Sequence, residues 1–365
     1  MKIRSRLIHL ILFTFLLLGS RVGNAQSDER PTERKIDSAM AISPEYMPVT
    51  VARLQGFQFN PLVYKSIDTT FFYTSEYDPL NRTEGIYQTL GIYSQAHRSM
   101  VFDFEREPGF SMITLPYPIY FKTEKDLRYY DVKGSFTDIS AAFGLTTELR
   151  IHAIHAQKIR RFEFNAQLEG YNNSGYFLRQ GCNLFDLNAV IHYSTPKNIY
   201  GFIGSYIINH AKFQENGGLE DYDLFIGRHF SDEDLTTDLM TFSVLFGNAL
   251  STINTHNAQW QQYVNIKDKN NRYFGTLTHT FQFKTLKSVF EDTHLNNDYY
   301  QNIYYINTDS TRDTVNYYSI VNSLQWSNYE PLSRQSDQNY FFRIAGGIRH
   351  EYVHAKMPFY IGNNY

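Results

Sequence analysis

In the tract "RRFEFNAQLEGY", Phe162, Phe164, Ala166 and Leu168 occupy one parity, while Glu163, Asn165 and Gln167 occupy the other. Successive side chains of a β-strand point to opposite faces, so a two-residue period specifies a strand with one apolar and one polar side. The pattern recurs. Leu149, Ile151 and Ala153 oppose Glu148, Arg150 and His152, and Phe185, Leu187, Ala189, Ile191 and Tyr193 oppose Asp186, Asn188 and His192. Tyr200, Phe202, Tyr206 and Ile208 share a parity, as do Tyr318, Ile320, Leu324 and Trp326. Leu277, Phe281 and Phe283 oppose Thr276, Thr278, Thr280 and Gln282, and Tyr340, Phe342, Ile344 and Ile348 oppose Arg343 and Arg349. With less regular stretches at 136–143, 241–247 and 258–266, about ten candidate strands follow residue 136.

Alternation alone suits a soluble β-sandwich as well as a membrane barrel; strand length and loops discriminate between them. The tracts run longer than the ~5–6 residues of an ordinary strand and match the ~9–11 of a tilted membrane strand. "QKIR", "STPKN" and "KDKNN" read as short turns, whereas residues 211–235 and 285–313 read as long acidic, Asn-rich loops. Short turns at one end and long loops at the other mark an outer-membrane barrel. "KDKNN" falls where a long loop is due, which implies a strand missing or misassigned near 235–270. Tyr193, Tyr200, Phe283, Trp326 and Tyr340 stand near tract ends, where an interfacial girdle places aromatics. The chain holds 29 Tyr and 29 Phe but its mean hydropathy is −0.42, as expected if apolar residues alternate with polar ones.

The N-terminus reads as an export signal: Lys2, Arg4 and Arg6 precede the apolar run Leu7 to Leu18, and "GNAQ" offers cleavage before Gln26. That run is shorter than the ~20 residues a spanning helix needs. Residues 1–25 are thus expected to be a cleaved signal peptide, 26–135 a partly disordered periplasmic N-terminal segment, and 136–365 a β-barrel region. Cys182 is the only cysteine, so an intrachain disulfide is excluded, and it reads as a small apolar strand residue. A net charge of −3 gives no basis for nucleic-acid binding.

"YYDVKGSFTDISAAFG", "GYNNSGYFLRQGCNLFDLNAVIHYSTPKNIYGFIGSYIINHAKFQENGG" and "FSVLFGNALSTINTHNAQWQQYVNI" resemble the outer-membrane β-barrel porin family of Bacteroidetes-type bacteria, with "IDTTFFY" and "QTLG" upstream fitting the same pattern. The resemblance runs with gaps from about residue 65 to the end and implies an all-β, antiparallel transmembrane barrel that passes small solutes. It brings no catalytic residues and no cofactor. Members of the family usually carry more strands than are recognisable here, so the resemblance implies a barrel incomplete within these residues.

His350-Glu351-Tyr352-Val353-His354 matches the H-E-x-x-H zinc-protease motif. That chemistry needs a helix, where residues four apart stack about 6 Å from each other; on a strand they stand ~13 Å apart. The preceding alternation and Gly346-Gly347 favour a strand, so neither a metal site nor an enzyme is expected. "SDEDLTTD" (231–238) lacks the spacing of a calcium loop and reads as solvated charge. The expectation is a porin-type barrel in lipid whose polar parity, Glu148, Arg150, His152, Glu163, Asn165, Gln167, Asp186, Asn188, Arg343 and Arg349, faces the lumen. A non-channel surface β-protein binding a partner through its long loops is the alternative, and the zinc protease a distant third.

Overall fold

The computed structural model describes residues 49–53, 65–66, 86–89, 95–101, 117–132, 134–144, 148–227, 239–267, 273–300, 310–329 and 342–357. The expected signal peptide, the 231–238 acidic run and Tyr340 lie outside these residues.

Among the described residues, nine strands form one antiparallel meander in which every strand pairs with its neighbours in sequence. They are β6 (Ser135–Phe143), β7 (Leu149–Ile159), β8 (Phe162–Asn173), β9 (Cys182–Ser194), β10 (Tyr200–Gln214), β11 (Leu250–Lys267), β12 (Tyr273–Asp292), β13 (Thr311–Ser327) and β14 (Ala345–Lys356). Their edges are β6 and β14. Before them, β1 (Val49–Arg53), β2 (Lys65–Ser66) and β5 (Arg128–Val132) make a separate small sheet, and β3 (Tyr87–Thr89) pairs with β4 (His97–Ser99). The all-β antiparallel architecture expected from the alternation is present.

Local chemistry fixes the joints. β7 and β8 are linked through Arg160-Arg161 alone, and Arg160 adopts φ 57, the left-handed geometry that a two-residue hairpin demands. Gly275 has φ +135, and a Cβ there would lie 2.6 Å from the carbonyl of Ser327. It sits across from the register shift between Ile266 and Lys267, so the bulge depends on a residue without a side chain.

Two strand assignments differ from the sequence reading. Residues 241–247 contribute only an isolated bridge, Leu219 to Val244. The apolar parity of that stretch serves a loop cluster instead: Phe242 packs edge-on to Phe225 at 5.4 Å, and Phe246 packs against Tyr299 and Tyr300 at 4.6 and 5.3 Å. With that strand removed and β11 extended to 18 residues, "KDKNN" falls at the short-connection end after all. β14 starts at Ala345, because the paired ladder ends at Ser327 with Ala345; beyond that pair the Asn328 N–H still donates to the Ile344 carbonyl at 3.0 Å. The Asn328 side chain adds to this, accepting from the Ile344 N–H at 2.9 Å and donating to the Phe342 carbonyl at 3.1 Å.

The strands also run further than the alternation suggested. β12 spans 20 residues and β10 spans 15, taking in Ala211–Gln214 and Thr285–Asp292, which the sequence pattern assigns to loops. At those ends both parities are mixed, so the two-residue signal fades while the backbone ladder continues.

Candidate functional site

The register fixes which side chains share a face, because a slip of one residue would exchange the two faces. Pairings such as Glu163 with His192, Gln167 with Asn188 and Asn209 with Asp186 put the polar parities of β7 to β10 on one side. Burial is inverted relative to a soluble sheet. Phe281 is 39 % exposed while its neighbour Gln282 is 2 % exposed, and Phe162 is 44 % exposed against 5 % for Asn165. Ile151, Trp260, Leu324, Trp326 and Ile348 likewise stand on the bare face. Thus the apolar side is uncovered and the polar side is covered.

Part of the cover is the segment Tyr117–Val132, two 3-10 turns followed by β5, which lies across the polar sides of β7 to β12 like a strap. Its contacts match the wall residue by residue. Tyr117 stacks on Phe213 of β10 at 3.7 Å and 5°, and its hydroxyl donates to Glu215 at 2.8 Å. The backbone N–H of Lys122 donates to Asn209 Oδ1 at 2.9 Å, and Asn209 Nδ2 donates back to the Lys122 carbonyl at 3.0 Å. Lys122 Nζ pairs with Glu169 of β8 at 3.0 Å, and Arg150 of β7 holds the same carboxylate at 2.6 Å. Glu124 reaches the other way, to Lys284 and Gln282 of β12. Leu127 is buried among Val190, Ile203 and Ile207. Tyr129 shares a hydrogen bond with His192 at 3.0 Å. Asn165 donates to the Arg128 carbonyl at 3.1 Å, and Gln167 donates to the Tyr130 hydroxyl at 3.2 Å. Tyr130 and Val132 finish the contact against Ile154 and Ala156.

Charge and burial on the strap follow from these partners. Burial pushes the Glu124 carboxyl up, but the Lys284 ammonium and hydrogen bonds from Lys284 and Gln282 outweigh it and hold Glu124 below the ordinary range. Burial, together with the nearby Glu215 carboxylate, drives the Tyr117 phenol well above its usual value, so it remains a donor. A second layer backs the strap: His97 of β4 packs edge-on to Tyr120 at 5.2 Å, and Gln95 donates to the Gln180 carbonyl at 2.7 Å.

The residues singled out from the sequence divide as follows. Arg150, His152, Glu163, Asn165, Gln167, Asp186, Asn188 and Arg349 share the covered face through the pairings of their strands. Glu148, one residue before β7, accepts from the Tyr171 hydroxyl at 2.7 Å on the same side. Arg343 precedes β14 and is exposed, its guanidinium 6.0 Å from the Tyr329 ring centre, so strand parity does not govern it. Lys122, Glu124, Leu127 and Tyr129 were not singled out. The strap has no period of its own, and its significance depends on what it covers.

On the bare face, Phe162, Tyr193, Phe202 and Trp260 form a row across β8 to β11 with successive ring separations of 4.8, 5.6 and 4.3 Å. Four of the expected girdle residues share this face by strand parity: Tyr193, Tyr200, Phe283 at 38 % exposure and Trp326 at 40 %. The H-E-x-x-H motif lies within β14. His350, Tyr352 and His354 are on the bare parity, and Glu351 is on the other, paired with Arg349 at 3.2 Å. Residues four apart on a strand are ~13 Å apart, so this motif has the wrong geometry to grip one zinc ion. Among the described residues no helix is long and apolar enough to cross a membrane, which leaves crossing by strands untouched.

No match was found among curated proteins or solved structures. A family model described as "Putative porin" matches residues 57–364, well over half of the 365 residues. The chain, with its inside-out amphipathic sheet, belongs to that porin family.

Proposed function

We propose that this chain is a porin-type barrel of the Gram-negative outer membrane. In this reading the bare face meets lipid, and the covered face lines a conduit for passive diffusion of small solutes. The observation that carries it is the inverted burial, with Phe281 bare beside a buried Gln282. In water such a face is an aggregation hazard, and in lipid it is the required surface. Dimensions support the same reading. Tyr318 and Trp326 bracket Ile320 and Leu324 on β13 and stand eight residues apart. That is about 27 Å along the strand, or roughly 20 Å of height at the ~35–45° tilt of a barrel strand, which puts the two rings near the edges of an apolar band ~25 Å tall. Strands of 15 to 20 residues would then project beyond the bilayer.

The conduit wall would include Glu148, Arg150, His152, Glu163, Asn165, Gln167, Asp186, Asn188 and Arg349. Its acidic and basic groups are interspersed, as where Glu169 sits between Lys122 and Arg150, which favours weak ion selectivity. In an antiparallel meander of nine strands, β6 and β14 run in the same direction. Since backbone groups in lipid must all be paired, and bacterial barrels have even strand counts, closure calls for pairing beyond the nine described strands.

Heat-modifiable migration on a gel, combined with conductance in planar bilayers, tests the proposal. Folded protein that inserts and gives steady current steps supports it. A heat-modifiable but electrically silent protein would instead favour a surface barrel that binds a partner through its loops. Exposed Tyr222, Leu224 and Ile226 between β10 and β11 are the observation on that side. Extraction as a water-soluble protein without detergent would sink both.

A further inference from the structure

We propose that the strap Tyr117–Val132 is a resident plug, and that it must leave its seat on the polar wall before solutes pass. This rests on the porin-type reading above. The wall itself is the first argument. A water-filled conduit has no use for apolar side chains on its polar parity, yet Val190, Ile203, Ile207 and Phe213 occupy that parity. Each is buried, and the strap's Leu127 and Tyr117 are what they pack against. These interruptions of the alternation mark the seat on the wall that the docked strap fills.

The second argument is span. Lys122 and Glu124, two residues apart, are ion-paired to β8 and β12 respectively, so the strap ties together strands four positions apart in the sheet. A segment that ties strands four positions apart across the polar face occupies the space in front of that face, where it obstructs flow. The third is the nature of the seat. Two ion pairs, a two-way amide clamp from Asn209 to Lys122 and one apolar knob make a discrete docked state rather than a loose tether. Such a segment has a bound and a released form, and anything that weakens the latches shifts the balance toward release.

The test compares three proteins in planar bilayers. The first is the natural chain. The second, Lys122→Ala with Glu124→Gln, removes both ion pairs and leaves every strand of the sheet intact. The third, Leu127→Cys with Ile207→Cys, places thiols on the strap and the wall within the one buried cluster that seats the strap; Cys182, buried in a different cluster, is left in place. We expect low, brief currents from the natural chain and a several-fold higher mean conductance from the latch variant. The cysteine pair should be silent when oxidised and should conduct once reduced. Equal conductance of the natural chain, the latch variant and both redox forms of the cysteine pair would overturn the plug while leaving a working porin. Silence of all of them, in protein that is folded by heat-modifiable migration, would overturn the porin reading and the plug with it.

Discussion

Lys122 Nζ lies 3.0 Å from Glu169 Oε2, and Arg150 closes on the other oxygen of that carboxylate at 2.6 Å. One buried side chain therefore joins two neighbouring strands to each other and to the strap. Removing one partner from such a cluster leaves an unneutralised charge, at a cost of up to about 3–5 kcal/mol.

Glu169→Gln should accordingly loosen the strap more than Glu163→Gln, whose carboxylate faces Lys158 and His192 rather than a strap cation. Lys122, Lys125 and Arg128 provide tryptic sites within the strap. Cleavage there should speed up at least tenfold in Glu169→Gln, equivalent to ~1.4 kcal/mol of lost docking. Equal cleavage rates in the two variants would show that the ion-pair cluster does not hold the strap.

Leu127 is 3 % exposed and seated among Val190, Ile203 and Ile207. Truncating a fully buried leucine costs about 2–5 kcal/mol, depending on how far the site relaxes. Leu127→Ala should increase strap cleavage by a similar or larger factor than Glu169→Gln. It should leave the denaturant midpoint of the sheet nearly unchanged, because the nine-strand ladder does not depend on the knob. A large fall in that midpoint would mean that strap and sheet unfold as one unit.

Much of the sheet was legible in the residues, because a strand with unlike faces must alternate. Phe162, Phe164, Ala166 and Leu168 read correctly as one face, and the structure keeps them together on β8. The alternation failed where it served something other than a sheet, as at Phe242 and Phe246, which share a strand-like parity but feed a loop cluster. The strap was opaque for a different reason. Its turns and short strand carry no period, and Leu127 looks like any isolated apolar residue until its seat is known. The clue was on the wall: Val190 within the polar parity of β9, and Ile203 and Ile207 within that of β10, mark the places where a partner rests.

Acid should release the strap through Glu124. Its carboxyl is held below the ordinary value of 4.5, with burial opposing and Lys284 and Gln282 prevailing. A depressed carboxyl contributes stability that is complete above its unfolded pKa and is lost as pH falls through the folded one. The contribution of Glu124 to docking should therefore be constant between about pH 7 and 5 and fall only below the usual glutamate range. A fluorophore on Lys125→Cys, at an exposed strap position, would report the change. The acid step should shrink in a Glu124→Gln background. A step of unchanged size there would assign the pH dependence to another group.

The two faces of β12 make opposite predictions for one substitution. Phe281 points away from the covered side and Thr280 toward it, adjacent in sequence and at the same height on the strand. If the bare face meets lipid, Phe281→Arg puts a guanidinium into hydrocarbon and should cost about 2–4 kcal/mol near the midplane, less toward either interface. Thr280→Arg would instead enter a polar, covered wall and act by crowding, with its effect on conductance rather than on insertion. Urea titration of folding into lipid vesicles separates the two: Phe281→Arg should lower the midpoint strongly, and Leu324→Arg, on the bare face of β13, should do the same. If Thr280→Arg proved the more damaging to insertion, the faces would have to be exchanged, and the polar parity would no longer qualify as a conduit wall.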